Sequence, residues 1–425
     1  NPFPTRGKAS IKEARKNKVV RLRVIQKVLG LLLAIFSLAM LPPMTYSLYE
    51  GDGTFFAFLS AAITTLVAGI LLWYPVRKID DELKLRDGFL IVVLFWLVLG
   101  VSGAIPFIVA EQAKMSIADA IFESISGLTT TGATVITGLD NLPRSILFYR
   151  QLLQWLGGMG IIVLAVAILP MLGIGGMQLY RAETPGPMKD SKLTPRITET
   201  AKRLWYIYLT LTAACFACYR IAGMDWFDAL CHSFSTVAIG GFSTHDASLG
   251  HFNSFAVEIV AIVFMFLAGI NFTLHFISVR TRSIRPYIVD SEFKMYVTLL
   301  GSVTLIVSLG LAFFSTEAFS WNLIRSSLFQ TVSIGTTTGF TTTQFQLWPA
   351  FLPLIVLMTS FIGACAGSTG GGIKVVRALL LLKQGVREIR RLVHPSAIIP
   401  IRMGGRAVSD RVVEAVWGFF ATYVA

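Results

Sequence analysis

DAIFESISGLTTTGAT occupies residues 119–134. The same frame returns as DALCHSFSTVAIGGFS at 228–243 and as SSLFQTVSIGTTTGFT at 326–341. In each copy the eighth residue is serine (Ser126, Ser235, Ser333), and the fifth is polar (Glu123, His232, Gln330). A glycine falls 13 residues after each start, at Gly132, Gly241 and Gly339. Matched residue types at matched spacing, three times over, make this an internal repeat. Each copy reads as a short amphipathic helix followed by an extended, glycine-containing loop, and each lies between one apolar run and the next.

Those apolar runs set the class of protein. The chain has 425 residues, 54% hydrophobic and only 14% charged, where soluble domains carry about 25%. This composition excludes a soluble enzyme and a disordered chain. Runs of the length that crosses a bilayer, about 20 residues, cover 28–49, 53–76, 88–110, 151–180, 259–279 and 295–316, with a shorter one at 204–219. From Ser326 to Ile373 there are 48 residues without a charge, too many for one span. A last run, 412–425, contains Glu414. The basic start has no evident cleavage site, so the first run is expected to be a retained span. Four cysteines do not make a disulfide framework, and Cys215 and Cys218 read as packing or lipid-facing residues on one helix face.

Charge sets the orientation. Of 37 Lys and Arg, 32 fall before residue 31 or within 75–88, 181–203, 280–294 and 374–411. Every second connection is therefore basic, which places those connections and the N-terminus in the cytoplasm. The net charge of +13 is a record of topology and not a nucleic-acid signature. The three repeat copies then lie in the outward-facing connections 111–150, 220–258 and 317–350. Irregular backbone at membrane depth is tolerated only where it lines a cavity or is buried in protein. Helix C-termini carry partial negative charge, and loop carbonyls can replace the water around a cation. Three short helices ending near one axis would therefore favour a cation there.

Six stretches carry a family resemblance: FESISGLTTTGAT (122–134), LQWLGGMGIIVLAVAILP (153–170), RAETPGPMKD (181–190), HSFSTVAIGGFSTHDAS (232–248), GACAGSTGGGIK (363–374) and RVVEAVWGFF (411–420). Over most of its length the chain resembles TrkH/TrkG-type potassium uptake proteins of the Trk/Ktr/HKT superfamily. The resemblance implies an all-α membrane protein in which repeated span, pore helix, filter loop and span units surround a pseudo-fourfold pore. Its implied divisions are a basic N-terminus with a two-span unit (1–87), a first pore repeat with its cytoplasmic loop (88–203), a second (204–294), a third (295–410) and the start of a fourth (411–425). By the same resemblance Gly132, Gly241 and Gly339 are the filter glycines. The carbonyls of Thr130 and Thr131, Ile239 and Gly240, and Thr337 and Thr338 would hold potassium. The second copy lacks the threonines, so backbone oxygens are the expected ligands. Relatives that favour sodium can carry serine at the first glycine, so Gly132 argues for potassium.

The stretch 363–374 packs so many small residues that a helix should unravel there. By resemblance it is an intramembrane gate loop, formed by Gly367, Ser368, Thr369, Gly370, Gly371, Gly372 and Lys374. Whether Lys374 holds the loop or repels cations is open. It is not a phosphate-binding loop, because Ile373 separates Gly372 from Lys374. Asn271 and His275, one turn apart in a span, suit either function or helix–helix hydrogen bonding. Arg325 is expected to anchor at the interface.

The expected activity is potassium uptake across a bacterial inner membrane, with no enzymatic chemistry. The resemblance implies a homodimer in lipid that meets a cytosolic TrkA-type ring of nucleotide-binding regulatory subunits. NAD(H) or ATP/ADP would bind that ring and not this chain, and no nucleic acid is expected. An ion-coupled secondary transporter is the rival reading. An intramembrane enzyme lacks its paired carboxylates, metal cluster or Ser/Lys pair. Glycine spacings of 109 and 98 residues place a fourth filter glycine near 440, so the native protein is expected to continue beyond Ala425.

Overall fold

A computed structural model describes residues 22–79, 85–160, 197–314, 320–404 and 406–425. The basic residues up to 21, residues 161–180 of the 151–180 run and the 181–190 motif lie outside the described residues. Apart from one two-stranded hairpin, pairing Arg402 with Ala407 and Met403 with Arg406, the described fold is helical.

Five helical stretches among the described residues are long and apolar enough to cross a membrane: Leu22–Glu50, Phe55–Val76, Asp87–Val109, Lys202–Ile221 and Ser291–Phe314. They match the expected runs to within a few residues. Their outer surfaces are apolar, for example Leu71, Leu305 and Phe313, as hydrocarbon surroundings require. The first two helices cross closely through small residues: a side chain on Gly30 would meet the backbone of Trp73 and Gly69, and one on Gly69 the backbone of Ala34. Such glycines let backbones approach.

The expected span 259–279 is broken. Helices Phe255–Ala268 and Phe272–Thr281 meet at 94°. The break at Gly269–Asn271 frees backbone groups that must find partners at membrane depth. Asn271 caps the second half by accepting from the Thr273 N–H at 2.9 Å. His275 reaches back to the Leu267 carbonyl at 2.9 Å and to the Tyr287 hydroxyl at 2.7 Å. Both polar residues thus repair the break.

The 48-residue uncharged run resolves into helix Trp321–Gly335, whose start lies just before it, a loop, helix Leu352–Ile362 and a second loop. The amphipathic helix Val375–Val393 follows, and helix Asp410–Val424 closes the described chain. The other two repeat copies begin with helices Ile117–Leu128 and Trp226–Ala238. Ser116 and Asp225 cap them, accepting from the Asp119 and Asp228 N–H groups. All four cysteines are free thiols.

Candidate functional site

The three repeat copies share one local geometry. The N–H of Thr131, Gly240 and Thr338 each donates to the carbonyl of the repeat serine, Ser126, Ser235 and Ser333, at 2.9, 2.9 and 2.8 Å. Thr130, Ile239 and Thr337 have φ of +55°, +55° and +67°, and Gly132, Gly241 and Gly339 have +75°, +79° and +89°. Glycine adopts such angles freely. A β-branched residue there is an outlier, and here it occurs at three equivalent positions. Strain of this kind persists only where the surroundings impose it, and it clusters at functional sites.

The loops converge. A Cβ on Gly132 would lie 2.0 Å from the Gly240 carbonyl oxygen and 3.5 Å from that of Thr338, while one on Gly241 would lie 1.8 Å from the Thr338 oxygen. Among the described residues, the same position on Gly339 meets nothing within 4 Å. The nine residues expected at a filter are therefore brought together, with the first loop against the second and third, and the second against the third.

Side-chain hydroxyls hold this backbone. Thr129 donates to the Ile125 carbonyl at 2.7 Å and pairs with the Thr131 hydroxyl at 2.8 Å. Thr336 repeats both contacts with Val332 and Thr338, each at 2.7 Å. The threonine hydroxyls thus clamp their own turn. Ser126 and Ser333 donate to the carbonyls of Ala133 and Phe340. In the second copy Gln154 replaces that contact: its Oε1 accepts from Ser235 at 2.5 Å and from the Phe242 N–H at 3.1 Å, and its Nε2 donates to the Gly240 carbonyl at 2.7 Å. That carbonyl is one of the six expected ligands and already has one donor; a carbonyl oxygen has a second lone pair.

The polar fifth residue of each copy also acquires a role. Glu123 accepts from Thr134 and the Val135 N–H, and His232 Nε2 lies 3.0 Å from the Ser243 hydroxyl. Both reach the stretch just past their own glycine. The Gln330 amide, also buried, makes no such bond. Glu123 further forms a fully buried ion pair with Arg150 at 2.8 Å. Arg150 also donates to the Ser243 carbonyl and to Thr134, and lies over the Phe242 ring. Sequence reasoning missed Arg150 and Gln154. A lone arginine heading an apolar run, in an otherwise Arg-poor connection, was the available signal. Arg325, expected at the interface, holds Glu258 through two bonds, at 2.5 and 2.6 Å.

The small-residue loop sits against this assembly. The Gly371 N–H donates to Thr337 Oγ1 at 2.8 Å, and Thr369 donates to the carbonyls of Val237 and Ala268. Gly363, Gly367, Gly372 and Lys374 all have positive φ, so no helix passes through. The loop also clasps the break in the other helix: the Cys365 N–H donates to Gly269 O at 3.0 Å and the Phe272 N–H to Gly367 O at 2.9 Å. Glu292 caps its flanks by accepting from Ala366 and Val376. Lys374 Nζ donates to the Gly370 carbonyl, so the lysine ties the loop to itself.

Past the glycines, the first and second copies are cross-linked. Asp246 accepts from the N–H groups of Gly138 and Leu139, and His245 lies between Asp140 and Asp228. Burial depresses the His245 pKa, but the two carboxylates outweigh it and raise it; the bond from His245 holds Asp140 below its usual value.

Comparison with known proteins follows the same outline. The TrkH cation transport protein family matches residues 55–425. The chain is 56% identical over 406 residues to the Trk system potassium uptake protein TrkH of Vibrio parahaemolyticus, covering 95% of this chain and 84% of that protein. It is 43% identical to the Trk system potassium uptake protein TrkG of Escherichia coli, over 94% of this chain and 82% of that one. The crystal structure of the potassium transporter TrkH from Vibrio parahaemolyticus superposes with a TM-score of 0.85 at 52% identity, covering 95% of this chain and 83% of that chain.

Proposed function

The chain belongs to the TrkH cation transport family, and we propose on that basis that it takes up potassium ions into bacterial cells through a selectivity filter made from repeats of one chain. It is a transporter and not an enzyme; no covalent bond changes. The observation that carries the filter reading is the contact of Gly132 with the carbonyls of Gly240 and Thr338, three loops meeting at one point. Potassium would lose its water to the backbone oxygens of Thr130, Thr131, Ile239, Gly240, Thr337 and Thr338, entering from the face that holds residues 133–146 and 242–254. Below that point, the 367–374 loop stands against the third filter strand through Gly371 and Thr337, which supports its reading as a gate. The division into pore repeats, the cytoplasmic N-terminus, the homodimer and the cytosolic nucleotide-binding ring belong to the same proposal. The basic connection 374–411 is the surface that such a ring would meet.

Rubidium uptake by proteoliposomes tests the reading. Uptake by the unmodified protein is expected, and its absence sinks the transport claim. Gly132→Ser is expected to lower Rb/Na discrimination; unchanged discrimination sinks the filter assignment. The 94° break favours one competing reading, since coupled carriers also use broken helices. Discrete single-channel currents well above carrier turnover would exclude strict alternating access.

A further inference from the structure

Asp140, His245 and His251 stand apart from the nine filter residues, on the stretches that follow the first and second glycines. Their ligating atoms lie within 4.8 Å of one another. The two imidazole rings stack with centroids 3.5 Å apart and planes 2° from parallel. Phe252 sets its edge against both rings, at 5.4 and 5.3 Å. His245 Nε2 faces the Asp228 carboxylate at 3.3 Å, and Nδ1 faces Asp140 at 2.5 Å. Asp228 is itself held by the Thr244 hydroxyl at 2.7 Å. Among the described residues, no hydrogen bond engages either nitrogen of His251.

We propose that Asp140, His245 and His251 form a binding site for a divalent transition-metal ion of the zinc type. Two imidazoles and one carboxylate are a nitrogen-rich donor set that suits zinc, copper or nickel and not potassium, magnesium or calcium. Three protein ligands leave a fourth position for water. Asp228 supplies what metal-bound histidines commonly have, a carboxylate on the opposite ring nitrogen that fixes ring orientation. Metal–ligand bonds of about 2.0–2.2 Å would put the donor atoms roughly 3.3 Å apart. The ion would therefore displace the proton between Asp140 and His245 and part those two atoms. A ligating imidazole keeps the metal in its own ring plane, which two parallel rings 3.5 Å apart cannot both do, so the exposed His251 ring would rotate out of the stack to bind. The ion would join the post-glycine stretch of the first copy to that of the second. The bland alternative is a plain His–carboxylate bridge with a stacked neighbour, which binds no metal.

The test uses tag-free, chelator-stripped protein in detergent and zinc as the probe, so it does not depend on transport. Calorimetry is expected to find one zinc per chain at micromolar concentration, with a rise in Tm as for any ligand of the folded state. Binding is expected to be lost in His251→Ala and Asp140→Asn, and to weaken by about 10- to 100-fold in Asp228→Asn, the orienting carboxylate. His251 is exposed, so His251→Ala should keep the wild-type circular dichroism and rubidium uptake, separating loss of zinc from misfolding. No zinc binding by the unmodified protein, or equal binding by His251→Ala and Asp140→Asn, overturns the proposal.

Discussion

The backbone N–H of Gly371 donates to the side-chain oxygen of Thr337 at 2.8 Å, joining the small-residue loop to the third glycine loop. Gly371 has no side chain to keep the two apart: a Cβ there would lie 3.2 Å from that oxygen. Whatever moves the loop must therefore break a contact with the candidate filter.

Thr369 tests this without touching the nine filter residues. Its buried hydroxyl serves the carbonyls of Val237 and Ala268. Thr369→Val removes both bonds, at a cost to the seated loop of about 1 kcal/mol. Such a change shifts an open–closed balance roughly fivefold. Rubidium influx is expected to rise accordingly in proteoliposomes; an unchanged or lower influx would count against the loop as an obstruction.

The first two filter glycines give a direct test of loop-to-loop contact. Gly132→Ala and Gly241→Ala bring a methyl group against a carbonyl oxygen of the next loop, on a backbone with positive φ. Both variants are expected to lower rubidium influx strongly in proteoliposomes. Influx equal to that of the unmodified protein in either variant would show that the loops do not press together at that point.

Glu123 and Arg150 form a pair with no solvent contact at either side chain. Removing one partner strands the other charge, at about 3–5 kcal/mol. Arg150→Met and Glu123→Gln should each lower Tm steeply. The double variant should be less damaged than the sum of the two, since it buries no lone charge. A strictly additive cycle would show that the pair is not coupled.

Asp52 gives a pH dependence with a defined sign. Helix Arg144–Trp155 starts after Pro143, which has no side-chain cap. Asp52, from a distant turn, accepts from the Ser145 N–H at 3.1 Å, and also from Ser47 and Thr54. Burial pushes its pKa up, but these bonds more than offset that and leave it below its usual value of 3.8. A depressed carboxylate stabilises the fold above its unfolded pKa, and the contribution disappears as pH falls through the folded pKa. At pH 7, Asp52→Asn should cost about 1 kcal/mol, as loss of a cap does. The gap to the unmodified protein should close as the pH drops below about 4. A gap that persists at low pH would exclude the carboxylate charge as its source.

Local properties were legible in the sequence. Hydropathy over some 20 residues marks a span whatever it packs against, so most spans were placed within a few residues. Glycine and serine at fixed offsets mark a repeated turn, because backbone angles depend on adjacent residues. The small-residue loop was legible for the same reason. Long-range relationships were not. Gln154 meets Gly240 across 86 residues, and neither its type nor its neighbours announce that contact. The run 259–279 is free of charge and reads as one span; it bends because Gly269 and Phe272 find partners in Cys365 and Gly367. His245 and His251 are six residues apart, a spacing that suggests no stack, until the 3-10 turn Ser248–Phe252 folds one ring onto the other. The sequence by itself determined the membrane class, the repeat and the glycines. Only the tertiary structure decided which oxygens, amides and rings face one another, because those contacts join segments far apart along the chain.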